Sequence, residues 1–267
     1  MRRFTLPLVI VGSVLLAALL TWLTVSTVSF TPRLAAPAVA VTTKPLTQAL
    51  PPFRRIEVAG TADVTLVQGD RESVTSVAGD GGALVSAHVS DGTLHLESSD
   101  ERHWWDWLLD RGSGRASRIT VDFRSLDAIA AAGAVKVVVA GLRTPALAIS
   151  GAGGTSIEIS GLAADSLTVS GAGALRAVLS GAVATQTVTI AGAGEYRAGD
   201  LVSRDATVTV TGAGQVIVHA TRTLHAVISG AGEVEYLGDP EITERVSGIG
   251  RVRRSDSPVP PAKGAGA

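Results

Sequence analysis

The feature that most constrains this chain is a glycine punctuation that recurs at an almost constant interval. The motif reads Ser150–Gly153 (SGAG), Ser170–Gly173 (SGAG), Ala191–Gly194 (AGAG), Thr211–Gly214 (TGAG), Ser229–Gly232 (SGAG) and Ser247–Gly250 (SGIG). A degenerate copy, AGAV, begins at Ala132. The first glycines fall at Gly133, Gly151, Gly171, Gly192, Gly212, Gly230 and Gly248, so successive intervals are 18, 20, 21, 20, 18 and 18 residues. A fixed period of this length marks a repeat architecture in which each unit stacks on its neighbours.

The segments between the glycines alternate apolar and polar. Leu147-Ala148-Ile149, Leu167-Thr168-Val169, Val188-Thr189-Ile190 and Val208-Thr209-Val210 precede the motifs, and Ile157-Glu158-Ile159 and Val216-Ile217-Val218 follow them. Period-two alternation is the signature of a strand with one buried face. Strands this short do not stand alone. Stacked coil on coil, equivalent strands lie about 4.8 Å apart and their aliphatic columns share one interior. The expected fold is therefore all-β: a parallel β-helix, or solenoid, of ~18–21-residue coils, with the first glycines in one column. Glycine suits the corners because it reaches positive φ without penalty and lets backbones approach closely. Gly153, Gly173, Gly194, Gly214, Gly232 and Gly250 complete the set of expected turn glycines. Ser150, Ser170, Thr211, Ser229 and Ser247 precede the corners, where stacked hydroxyls can bond one another or nearby backbone.

Other glycine-rich folds fit less well. A dinucleotide fingerprint is a single GxGxxG between strand and helix, and here the motif repeats with no helix after it. Calcium-binding β-rolls need a regularly placed Asp, and none recurs in these turns. Leucine-rich horseshoes would show an Asn or Cys ladder and a helical half-repeat. The composition agrees with thin stacked strands: 30 glycines against 4 Trp, 2 Tyr and 4 Phe in 267 residues. The formal net charge of −1 gives no field that would favour nucleic acid, and with no cysteine there is neither a disulfide framework nor thiol chemistry.

The N-terminus points to export. After Arg2 and Arg3, an uncharged run extends from Phe4 to Pro32. About 20 apolar residues cross a bilayer as a helix, whereas a cleavable signal has an apolar stretch of about 7–15. Residues 1–31 read as a single-pass transmembrane signal anchor, with the two arginines cytoplasmic and the C-terminal bulk outside. The alternative is a long signal peptide cut after Ala38–Ala40, giving a secreted protein. Residues 32–52, with Pro32, Pro37, Pro45, Pro51 and Pro52, read as an extended linker. Residues 53–254 form the β-helix, and 255–267 a disordered tail. Within the domain, residues 53–98 show weaker punctuation and read as antecedent coils or a strand-rich cap, with Asp91-Gly92 as a turn.

Candidate chemistry is sparse. Residues 101–117 (ERHWWDWLLDRGSGRAS) hold Trp104, Trp105 and Trp107, three of the four tryptophans. They form either an aromatic platform for sugar or membrane contact, or a segment covering an open edge of the solenoid. The residues after each Gly-x-Gly are Gly154, Ala174, Glu195, Gln215, Glu233 and Arg251; a second column holds Arg176, Arg197, Glu235 and Arg253. Their mixed signs fit a solvated stripe. Glu195 and Glu233, two coils or about 9.6 Å apart, lie at the outer edge of the spacing of an inverting carboxylate pair. His88, His95, His103, His219 and His225 form no zinc-binding spacing such as HExxH, and no serine sits in a GxSxG elbow. No catalytic residue, metal site or cofactor is expected.

Roughly residues 53–254 resemble the bacterial auto-transporter adhesin "head GIN domain" family. The carrying segments are Phe53–Asp70 (FRRIEVAGTADVTLVQGD), Asp91–Leu96 (DGTLHL), the serial SGAG motifs and Ile228–Val252. In the last, Tyr236, Gly238 and Pro240 match a Tyr-x-Gly-x-Pro element of the family. The resemblance implies an extracytoplasmic β-helix-like fold and no established activity. The expectation is a non-catalytic, membrane-anchored surface scaffold or adhesin-like module whose partners are glycans or other surface proteins. A polysaccharide-active enzyme on the same fold and a self-assembling surface filament are the alternatives.

Overall fold

A computed structural model describes residues 46–77, 84–99 and 117–255. The proposed transmembrane segment, Trp104, Trp105 and Trp107, and residues 256–267 lie outside the described residues. Among the described residues every regular element is a strand, and no helix is long and apolar enough to cross a membrane.

The strands are β1 (Leu46–Ala49), β2 (Arg55–Gln68), β3 (Ser73–Val77), β4 (Leu84–Ser90), β5 (Thr93–Ser99), β6 (Ser117–Phe123), β7 (Ala128–Ala140), β8 (Arg143–Gly153), β9 (Ser156–Gly173), β10 (Arg176–Gly192), β11 (Glu195–Gly212), β12 (Gln215–Gly230), β13 (Glu233–Leu237), β14 (Glu241–Gly248) and β15 (Arg251–Arg254). From β7 to β13 each strand stacks in parallel on the one before, in sequence order, and β14 and β15 stack in parallel on β12 and β13, giving a β-solenoid. The start of the domain breaks that order. β2 lies between β7 on one side and β5 and β6 on the other. β2, the first strand of the coil stack, therefore sits inside it; the chain then runs out to build the N-terminal end and crosses back over β2. The β4–β5 hairpin and β3, antiparallel to both β1 and β6, finish that end. Antiparallel strands there close off continued parallel stacking, as edge protection requires.

The interior is a file of aliphatic rungs. Ile157, Val169, Val188, Val208, Val216, Val218 and Ala226 are fully buried, and the alternating residues between them face outward. Among the described residues no further strand pairs with β14 or β15 at the far end. All of β14 is exposed, and Ile249 in the last corner is 88% exposed.

The corner column departs from the expected alignment, and the reason is steric. The strand register joins Gly60, Gly133, Gly153, Gly173, Gly192, Gly212, Gly230 and Gly248. Gly151 and Gly171 oppose each other, but Gly171 opposes Ile190, not Gly192. The expected single column through the first glycine of every motif is thus corrected by two residues. In the motifs at 150–153 and 170–173 the corner is the second glycine; in the four later motifs it is the first. Of the two glycines in each motif, only the one at the corner has positive φ, for example +86° at Gly153 and +120° at Gly212.

The other glycine of each motif makes room. Two residues before each corner the inward positions run Ala131, Gly151, Gly171, Ile190, Val210, Ile228; two after, they run Val135, Thr155, Leu175, Gly194, Gly214, Gly232. At the corners from Gly153 to Gly230 the space inside is filled from one flank only. A Cβ at Gly151 or Gly171 would lie 2.8 or 2.5 Å from Leu175, and a Cβ at Gly194 would lie 2.6 Å from Ile190. One Gly-Ala-Gly spelling therefore encodes two registers, and which one depends on whether the bulky residue comes before or after the turn. A second series of positive-φ glycines, Gly141, Gly161 and Gly181, marks the opposite bend of the coils, where the ladder shifts by a residue.

Candidate ligand-binding surfaces

Three surfaces bear on function. The first is the flat sheet of residues that precedes the glycine corner. Its outward columns are Ala128, Ala148, Thr168, Thr187, Thr207, His225 and Thr243; Ala130, Ser150, Ser170, Thr189, Thr209, Val227 and Arg245; and Ala132, Ala152, Ala172, Ala191, Thr211, Ser229 and Ser247. Alternation puts Val188, Ile190, Val208 and Val210 inside and leaves the threonines between them outside. The central rungs therefore present an uncharged lattice of hydroxyls and methyls, about 4.8 Å apart along the stack and about 6.6 Å apart along each strand. The Ser and Thr of the motifs were legible in the sequence, and the register sets Thr168, Thr187 and Thr207 in one column beside them.

The second surface follows the corner and carries the charges. The register sets Lys136, Ser156, Arg176, Glu195, Gln215, Glu233 and Arg251 in one column, and Glu158, Val178, Arg197, Ile217, Glu235 and Arg253 in the next. Gly154 and Ala174 do not precede Glu195 in the column, and Arg176 moves beside Glu195; both changes follow from the two-residue correction. Glu195 is bridged by Arg176 at 3.3 Å and Arg197 at 2.5 Å; Glu233 by Arg253 at 2.7 Å and Arg251 at 3.3 Å. Arg253 also pairs with Glu235. Ion pairs that are this open to solvent at the arginine end add little net stability. They occupy the carboxylates that a glycosidase would have to leave facing its substrate.

Asp205 is the most heavily bonded carboxylate on the described surface. It accepts from Arg222 Nε and Nη2 at 2.7 and 2.5 Å, from Thr223 Oγ1 at 2.7 Å, and from Arg204 Nε at 3.4 Å. The Arg222 bonds, then that of Thr223, hold its carboxyl well below the usual range. A lowered folded-state value stabilises the fold above the unfolded carboxylate range and loses that effect as pH falls below it. The stability gap between the parent and Asp205→Asn is expected to be constant from neutral pH down to the ordinary carboxylate range and to shrink only below it. Thermal melts across that interval check this; a gap that already closes near neutral pH refutes it.

The third surface is an open groove of about 680 Å³ near the N-terminal end, lined in part by Phe53, Arg54, Arg55, Glu72, Arg124 and Asp127. Its cations are engaged. Arg54 forks onto Asp127 at 2.6 and 3.0 Å, Arg124 donates to the Asp70 carbonyl at 2.6 Å, and Arg55 donates to Thr93 Oγ1 and the Asp91 carbonyl.

The interior holds one polar chain that sequence reading missed. Tyr196 donates to Gln186 Oε1 at 3.2 Å, Gln186 Nε2 donates to Ser203 Oγ at 2.7 Å, and Ser203 donates to the His219 carbonyl at 2.7 Å. Burial alone pushes the Tyr196 phenol up. The chain satisfies its own buried groups and opens onto none of the three surfaces. The signal for it was Gln186 on the buried phase of an alternating strand. His219 Nδ1 lies 3.3 Å from the Gly199 carbonyl, and His225 is exposed on the hydroxyl sheet.

Trp104, Trp105 and Trp107 fall outside the described residues, but the strands flanking their segment are placed. Ala59 opposes Glu97, and Ala62 opposes Ser117. A Cβ on Gly60 would lie 2.4 Å from the Ser98 carbonyl oxygen. The described strands on either side of that segment, β5 and β6, thus pair with β2 before and after its glycine corner.

A family model described as "Putative auto-transporter adhesin, head GIN domain" matches residues 52–240. No curated relative matches the chain. Among solved structures, a "putative adhesin" from Bacteroides fragilis is 23% identical, covers 80% of this chain and 98% of its own, and superposes with a TM-score of 0.70. A "putative lipid binding protein" from Parabacteroides distasonis is 22% identical, with 80% and 96% coverage and a TM-score of 0.61. A "putative adhesin" from the same species is 19% identical, with 79% and 96% coverage and a TM-score of 0.59. At these identities the likeness is one of fold.

Proposed function

The chain belongs to the auto-transporter adhesin head GIN domain family, and from that premise we propose that it is a membrane-anchored, extracytoplasmic binding module without catalytic activity. The observation that carries the reading is the in-register sheet of Ser150, Ser170, Thr168, Thr187, Thr189, Thr207 and Thr209, uncharged and repeating with the coil. A repeating ligand rich in hydroxyls, such as a cell-wall or environmental glycan, meets such a surface one rung at a time. Trp104, Trp105 and Trp107 supply faces on which sugar rings stack. The anchor of residues 1–31 and the proline-containing linker 32–52 hold the module off the membrane. The paired states of Glu195 and Glu233 support binding over hydrolysis.

The test is incubation of the full-length chain, in detergent, with a panel of glycans. Binding without turnover is expected, and Trp104→Ala combined with Trp105→Ala is expected to weaken it at least about tenfold, the loss of one to two stacking contacts. Turnover of any glycan, or unchanged affinity in the double variant, overturns the reading.

A further inference from the structure

We propose that His88, His95 and Glu57 form a site for a borderline divalent transition ion, with Zn²⁺ as the test ion, at the N-terminal end of the solenoid. The sequence hides the site, because 38 positions separate Glu57 from His95. The hairpin brings it together. Asp91 and Gly92, at φ +50° and +69°, form the two-residue turn between β4 and β5, and this fixes His88 directly opposite His95. β5 then pairs in parallel with β2, which sets Glu57 opposite His95. Three side chains with metal-binding atoms stand in one row across three adjacent strands.

The strand register brings the three donors within reach of one ion. The two imidazole rings lie face to face, 4.9 Å between centroids and 16° between planes. His95 Nδ1 is 3.1 Å from Glu57 Oε2. His88 and Glu57 are exposed and His95 is half-buried. As the side chains stand, no three His, Asp or Glu among the described residues surround one point. Converging needs only side-chain rotation, because the backbones are already spaced for it. Directly opposed Cβ atoms lie about 4.5–5.5 Å apart, so the row spans about 10 Å. An imidazole at one end and a carboxylate at the other bridge that span around an ion held at about 2.0–2.2 Å from each donor.

The donor set decides the class of ion. Two imidazoles and one carboxylate suit Zn²⁺, Ni²⁺ or Cu²⁺, whereas Ca²⁺ and Mg²⁺ prefer oxygen alone. The surroundings favour a cation. Glu97 faces outward from β5, two residues beyond His95, and the cation nearest along β2, Arg55, is held by Thr93 and the Asp91 carbonyl. Beyond Glu57 the row continues with Ala130, whose methyl leaves the site open on that side. Among the described residues β4 pairs with β5 alone. A bound ion therefore clips this edge strand to β2 and stiffens the end of the stack from which the tryptophan-bearing segment departs.

The test is calorimetric titration of the full-length chain with ZnCl₂, repeated with Co²⁺ to read its visible absorption bands. One site per chain is expected. His88→Ala and His95→Ala each weaken it at least about tenfold, and Glu57→Gln weakens it measurably. His225→Ala, on the hydroxyl sheet, leaves it unchanged. Because His88 is exposed on an edge strand, His88→Ala should melt like the parent in EDTA; if His95→Ala does not fold, the His88→Ala titration decides alone. Absence of stoichiometric binding in the parent, or an unchanged site in His88→Ala, overturns the proposal.

Discussion

Gly212→Ala is expected to destabilise the solenoid by about 3–5 kcal/mol, the sum of strain at a left-handed position and a forced backbone shift. Gly212 sits at φ +120°, and a Cβ there would lie 2.6 Å from the Gly192 carbonyl oxygen of the preceding rung. The obstacle is backbone, not the end of a flexible side chain, so the two rungs must separate. Each coil of a solenoid is held by its neighbours only, and the damage should stay on one side of the break. Amide exchange should accelerate first over residues 215–254, while β7 to β10 keep their protection. Ala213→Ser, one residue on and exposed, serves as the control and should stay within about 0.5 kcal/mol of the parent. Unchanged melting of Gly212→Ala would show that the corner column does not carry the stack.

The second large effect concerns the exchange of volume across the corner. Leu175 is 2% exposed and fills the space that Gly151 and Gly171 leave empty. Leu175→Ala is expected to cost about 2–5 kcal/mol through the cavity it opens. Gly151→Ala in the parent is expected to cost about 1–3 kcal/mol, since its methyl would sit 2.8 Å from Leu175 Cδ1. In the Leu175→Ala background the same substitution should recover about 1 kcal/mol, because the methyl now fills a hole and the backbone at Gly151 is not left-handed. The reversal of sign is the diagnostic, read from denaturant melts of the parent and the three variants. Additive effects would mean that the two flanks do not share one space.

The clip at His88, His95 and Glu57 and the hydroxyl sheet lie at different levels of legibility. The sheet was half visible: Thr187-Val188-Thr189 and Thr207-Val208-Thr209 show which residues face out, and the period shows that they stack. The histidine row was not visible, because a strand that returns one rung out of order joins residues that no repeat relates. The pairing of Glu195 with Arg176 was hidden for another reason. Aligning motifs by their first glycine places Arg176 one column away, and only the bulk of Ile190 against Leu175 reveals the slip.

The amino-acid sequence by itself determined the strand period, the coil length, the corner residues as a class and the family, because each depends on neighbours within one winding. Tertiary structure decided which glycine of each motif turns the corner, where β2 enters the stack, and which polar side chains meet. Those outcomes depend on packing between windings: a corner holds one bulky residue, contributed from either flank, and the backbone shifts register to accept it.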